Sequence, residues 1–74
     1  MATLAPHQER VIFEREELED KIVKLSNFLN SNTYKELTED EQLLLTEQLP
    51  IMKDYSDVLF KRIKLFMKIS REVN

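Results

Sequence analysis

A chain of 74 residues that contains neither glycine nor cysteine has few ways to fold. Without glycine, tight hairpin turns, glycine bulges and phosphate-cradling loops lose the residue that their positive φ angles demand. Without cysteine there is no disulfide and no thiolate metal site, and a single His offers little to zinc. A domain this short buries only about 60% of its unfolded surface, so it needs some other source of stability. Self-association is the route left open. With 34% charged residues and only two prolines, Pro6 and Pro50, the composition suits helices and predicts an all-α fold.

The apolar period gives the layout of a single helical-hairpin domain over residues 1–74. Pro6 fits the first turn of a helix, where its missing N–H would be unpaired anyway. A first helix is expected over about 6–29, with an inner seam of Val11, Arg15, Leu18, Ile22, Leu25 and Leu29, flanked by Ile12 and Phe28. The steps of four and three are those of antiparallel helix packing, interrupted once by Arg15. A turn follows over 30–38. Asn30-Ser31-Asn32-Thr33 is its cluster of turn formers, and Tyr34 to Leu37 is expected to make one short helical turn.

Thr38-Glu39-Asp40-Glu41 reads as a capping box that opens a second helix over about 39–72. Its seam is Leu45, Leu49, Met52, Ser56, Leu59, Ile63 and Phe66. A second apolar row, Leu44, Ile51, Tyr55, Val58, Leu65 and Ile69, runs beside it. One partner helix cannot cover both rows, so the hairpin is expected to assemble into a homo-oligomeric helical bundle, with a tetramer favoured. Pro50 interrupts the pattern without shifting its register, which reads as a kink rather than an end. At ~50 Å against ~36 Å, the second helix should overhang the first at its C-terminal end.

Charge is uneven along the chain. Glu36, Glu39, Asp40, Glu41 and Glu47 crowd the middle, and Lys61, Arg62, Lys64, Lys68 and Arg71 crowd the end. Folding the hairpin on paper brings Leu18 opposite Met52 and Ser56, and Val11 opposite Leu59 and Ile63. Arg10 then falls near Arg62, and His7 and Gln8 near Lys64 and Leu65, beside the free N–H groups of the first helix. A helix N-terminus beside Arg and Lys suits a phosphate, and Arg adds planar bidentate geometry. Tyr55, two turns before Arg62, could stack on a base. Simpler roles stand beside these. The late cations complement the negative end of a helix dipole, Tyr55 serves as an interface aromatic, His7 is a polar helix-start residue, and Glu14 neutralises Arg10.

Catalytic constellations are missing from the sequence, which has no second His to build a triad, no HExxH and no Walker loop, so an enzyme is not expected. Carboxylate pairs such as Glu16 and Asp20 read as solvated faces. Neither a metal nor a cofactor is expected. Met1 to Pro6 lacks the basic start of a signal peptide, and no apolar run approaches the ~20 residues of a membrane span. A soluble intracellular protein is expected. A net charge of -3 weighs against nucleic acid as a partner, since nonspecific binding relies on a substantial basic field.

The combination His7-Gln8-x-Arg10-Val11-Ile12 with Glu14, then Glu17-Leu18, Lys21, Leu25 and Phe28, resembles a family of very short phage hairpin proteins. The resemblance continues through Tyr34, Leu37, Glu41-Gln42, Leu44-Leu45, Gln48-Leu49, Met52, Tyr55-Ser56, Leu59 and Arg62-Ile63. Its more specific parts are the Gln-x-Arg-Val start and the Met-x-x-Tyr-Ser-x-x-Leu-x-x-Arg-Ile end; Pro50 departs from the pattern. The resemblance implies a phage anti-CBASS sponge, a homo-oligomer in the cytoplasm of the infected bacterial host. Such a protein binds a cyclic dinucleotide defence signal, such as 3′,3′-cyclic GMP-AMP, and withholds it without cleavage, which blocks activation of the CBASS effector. The ligand-binding residues implied for this chain are Arg10, Arg62, Tyr55, His7, Gln8, Lys21 and Lys61. The alternative is a helical interaction module whose apolar and basic C-terminal turns dock a host protein.

Overall fold

The structure, a computed structural model, describes the backbone of residues 4–73 and the side chains of residues 4–68. It is a helical hairpin of α1 (Pro6–Leu29), a single-turn α2 (Asn32–Lys35) and α3 (Glu39–Val73). Both long helices begin and end where the sequence pattern puts them, to within one residue.

Local chemistry sets these boundaries. Pro6 occupies the first turn of α1, and the Gln8 side chain reaches back to accept the Ala5 backbone N–H at 2.9 Å. This is half of a capping box, since Ala5 has no side-chain oxygen to return the bond. At the other end Ser31 Oγ accepts from Tyr34 N–H, so Ser31 is the N-cap and α2 begins at Asn32. The expected turn of helix over Tyr34 to Leu37 is therefore displaced two residues towards the N-terminus. Thr38 Oγ1 then accepts from Glu41 N–H at 3.2 Å and caps α3, whose first turn holds Glu39, Asp40 and Glu41 at the positive end of the helix dipole.

The turn is tied to both helices. The Phe28 and Tyr34 rings lie 6.3 Å apart, the Tyr34 hydroxyl donates to the Gln42 carbonyl, and Gln42 Nε2 donates to the carbonyls of Tyr34 and Leu37. These bonds fix where α3 leaves the turn, and hence its register against α1. In that register Val11, Leu18, Ile22 and Leu59 form the buried core, with Leu49, Met52, Ile63 and Phe66 packed around it. Leu59, with 0% of its surface exposed, is the single fully buried large side chain among the described residues.

Helix α3 runs unbroken through Pro50, which is exposed. Proline has no N–H to donate to the carbonyl four residues earlier, at Thr46. The Thr46 hydroxyl donates instead to the carbonyls of Gln42 and Leu43, one turn earlier. The whole hairpin is a rod of 54 × 16 × 14 Å, two helices across in one direction and one in the other.

The second apolar row of α3 is open. Leu44, Ile51, Tyr55, Val58 and Leu65 are 63%, 67%, 46%, 52% and 61% exposed, as the surplus row of the sequence requires. Ile69, the last member of that row, and Arg71, the last of the late cations, lie outside the residues whose side chains are described.

Candidate functional site

Of the residues implied by the sequence, His7, Arg10, Lys21, Tyr55, Lys61 and Arg62 are exposed and Gln8 is half-buried. Gln8 Oε1 is committed to the start of α1, which leaves its amide nitrogen as a donor. Lys61 pairs with Asp57 at 2.9 Å across one turn, an exposed pair of modest strength. Neither Arg10 nor Arg62 takes part in an ion pair among the described residues.

Helical phase sorts these side chains into two flanks. Successive residues are about 100° apart, so residues seven apart share a face. Tyr55 and Arg62 lie on the flank of α3 that carries the open apolar row, and Phe60 and Met67 lie on the other. On α1, Arg10, Glu14 and Lys21 share one flank, and Ile12, Glu16 and Glu19 share the other. The second flanks of the two helices meet in a groove of about 490 Å³ lined by Ile12, Arg15, Glu16, Glu19, Phe60, Ile63 and Met67. Arg10, Lys21, Tyr55 and Arg62 thus occupy the opposite side of the hairpin from that groove.

Arg15 organises the groove. Its seam position on α1 leaves it half-buried, and its Nε donates to the Ser56 carbonyl at 3.3 Å while Nη2 bonds Glu19 Oε1 at 3.0 Å. Ser56, buried in the α3 seam, donates its hydroxyl to the same Glu19 oxygen at 3.0 Å. Three polar side chains at the centre of an apolar interface therefore satisfy one another, as burial requires. The Arg15 guanidinium also lies 4.7 Å from the centroid of the Phe60 ring, and Lys64 Nζ lies 5.4 Å from the same centroid. Phe60 is an aromatic ring, 40% exposed, with two cations close to it.

Beyond Phe60 the C-terminal turns of α3 carry Lys61, Lys64 and Lys68 around Leu65 and Met67. An aromatic ring flanked by cations offers a stacking surface beside charge suited to an anion. From the sequence Arg15 reads only as an interruption of the seam, and Phe60 belongs to neither apolar row. The signal available was the polar pair Arg15 and Ser56 at facing seam positions, each of which needs a hydrogen-bond partner once the seam closes over it. Elsewhere on the surface, Asp20 holds the Lys24 ammonium 2.9 Å away and raises its pKa, through the hydrogen bond first and its charge second.

Among the described residues no group of three or more His, Cys, Asp or Glu side chains could hold a metal ion, and no helix is long and apolar enough to cross a membrane. The Sequestin family model matches residues 5–65, from the cap of α1 to the lysine-rich turns of α3. This chain belongs to the Sequestin family. The matched span takes in Phe60, the rest of the groove except Met67, and all seven residues implied by the sequence, and the family's name describes sequestration of a partner. No curated protein and no solved structure matches the chain.

Proposed function

We propose that this Sequestin is a phage immune-evasion sponge, acting in the cytoplasm of an infected bacterium. It holds a cyclic dinucleotide defence signal of the 3′,3′-cyclic GMP-AMP type and releases it chemically unchanged. Effector proteins are thereby denied their activator. Sequestration rests on the family match, and the phage setting rests on the sequence resemblance.

The observation that carries the ligand class is Phe60 beside Arg15 and Lys64. A nucleobase stacks on such a ring by taking the place of one of these cations, and Lys64 with the neighbouring Lys61 and Lys68 offers charge to its phosphates. Binding without turnover asks for charge and stacking surface alone, so no acid, base or nucleophile needs to be poised at the ligand. Arg10, Arg62, Tyr55, His7 and Lys21 form a second set of contacts on the opposite side, with Gln8 at the seam end of α1 beside them, available where copies of the hairpin join.

Isothermal titration of the wild-type protein with 3′,3′-cyclic GMP-AMP, against a linear dinucleotide control, tests this reading. Saturable heat with the cyclic ligand is expected, and chromatography of the denatured complex should return it intact. Arg15→Ala, Phe60→Ala and Lys64→Ala should weaken binding more than Arg10→Ala and Arg62→Ala if the groove side holds the base. The reverse order moves the ligand to the opposite side. No heat with any cyclic nucleotide, together with specific capture of one host protein, would replace the sponge with an interaction module.

A further inference from the structure

The open face of α3 is a regular seam. Leu44, Gln48, Ile51, Tyr55, Val58, Arg62 and Leu65 follow one another in steps of four, three, four, three, four and three. That is the 3.5-residue repeat with which one helix packs along another, kept over three heptads and about 32 Å of helix. It lies one residue, or about 100°, round from the seam that faces α1, so the two do not compete for the same partner. The four apolar aliphatic members are each more than half exposed.

We propose that a second copy of this chain covers this face, with the two α3 helices antiparallel about a twofold axis near residues 55 to 58. Charge decides the direction. The flank of the seam away from α1 carries Glu47 and Asp54 in its first half, then Lys61 and Lys68 in its second. Antiparallel pairing brings Glu47 of each copy beside Lys68 of the other and Asp54 beside Lys61, all four contacts favourable. Lys61 keeps its local Asp57 contact as an exposed pair and remains within reach of both carboxylates. Parallel pairing would instead place Arg62 against Arg62 within the seam and carry the charged flanks of the two copies to opposite sides of the interface, where no carboxylate of one meets a lysine of the other.

The layers agree with this orientation. Tyr55 packs on Val58 of the second copy, Ile51 meets Arg62, and Gln48 meets Leu65, each pair occurring twice. Gln48 and Arg62 hold equivalent seam positions, where a polar side chain fixes register at some cost in affinity. Such a contact is isologous and closed, so it ends at a defined assembly rather than a filament. The flank of α1 that carries Arg10, Glu14 and Lys21 borders this face, so the joined copies bring Arg62 and Tyr55 of both chains into one region. The assembly stands whether or not the ligand is a nucleotide, and only the use of that shared region rests on the proposed function.

Sedimentation equilibrium of the full chain without nucleotide, from micromolar to millimolar, is the first measurement, and a reversible dimer or dimer of dimers is expected. Val58→Asp and Ile51→Glu should weaken association at least about tenfold while keeping their helical circular dichroism, and Phe13→Asp, on an exposed residue of α1, should not. Because the chain has no cysteine, single-cysteine variants report direction cleanly. An oxidised mixture of Tyr55→Cys and Val58→Cys should yield chiefly the mixed disulfide, identified by its intermediate mass. A monomer at every concentration, unchanged stoichiometry in both seam variants, or faster pairing of each cysteine with itself would overturn the proposal. A dimer that binds no nucleotide would overturn the proposed function and leave this inference standing.

Discussion

Leucine to alanine makes the same chemical change at residues 59 and 44, yet the structure assigns the two sites opposite consequences. Leu59 is 0% exposed at the centre of the hairpin core, and Leu44 is 63% exposed on the outer face of α3. Truncating a fully enclosed leucine removes its transfer free energy and leaves a cavity, a loss of about 3 to 5 kcal/mol. For 74 residues at roughly 0.05 to 0.15 kcal/mol each, total stability is about 4 to 11 kcal/mol, so Leu59→Ala removes about a quarter of it or more. With a urea dependence of about 1 kcal/mol per molar, the unfolding midpoint should fall by about 3 M or more.

Leu44→Ala in a single hairpin should change stability by about 0.5 kcal/mol or less. The assay is urea unfolding followed by circular dichroism at low micromolar protein, repeated at a hundredfold higher concentration. Dilution separates the hairpin's own stability from any gained by association, which makes the midpoint concentration-dependent. Leu59→Val, which removes about one methylene, supplies a milder step of about 1 kcal/mol should the alanine variant fail to fold. Equal losses at residues 59 and 44 in dilute protein would refute the assignment of inner and outer seams. If α3 pairs with a second copy, Leu44→Ala becomes destabilising only in the concentrated sample.

Other consequences can be checked in the same way. Pro50→Ala restores an N–H donor to an exposed position inside α3 and should raise stability by about 1 to 3 kcal/mol, read as a higher melting temperature; a loss would show that α3 needs the bend a proline imposes. Glu19→Ala removes the acceptor shared by Arg15 and the buried Ser56 hydroxyl and should cost about 1 to 3 kcal/mol, whereas Ser56→Ala removes a donor whose acceptor keeps Arg15 and should cost less; a double-mutant cycle measures the coupling. Because the Lys24 pKa is raised above 10.5, any stability it lends is fully present below that value and lost as pH rises through the folded pKa. Any advantage of wild type over Lys24→Met in the unfolding midpoint, small for so exposed a pair, should therefore be present near neutral pH and disappear as pH rises through the folded pKa, and an advantage that survives at that pH would mean that Lys24 contacts more than Asp20.

Most of the fold is written in local chemistry. Pro6 and Thr38 mark the starts of the long helices by mechanisms that act within one turn, and the seams follow from spacing alone. The antiparallel register was legible because few seam residues lie between the turn and the facing pairs, which leaves little freedom to slide. The misplaced short helix is a contest between caps: Ser31 takes the Tyr34 N–H, and nothing in Asn30 to Thr33 announces which hydroxyl wins. The role of Arg15 was hidden for a different reason. Its partners Ser56 and Phe60 are 41 and 45 residues away, so the cation over a ring exists only once α3 has folded back. The side chains read as ligand contacts were legible as exposed polar positions, but their separation from Phe60 onto the opposite side of the hairpin depends on which flanks of α1 and α3 close the groove.

A rod 16 × 14 Å in cross-section has no interior in which to enclose a nucleotide. The proposed ligand, lying in the open groove of one hairpin, would keep much of its surface in water and leave readily. For withholding a signal, dwell time matters as much as affinity, because every escape is a chance to meet the effector. If escape waits for subunits to separate, the off-rate becomes a property of the assembly rather than of any single contact. Capture would then tighten as the protein accumulates in the cell, with concentration acting as the latch.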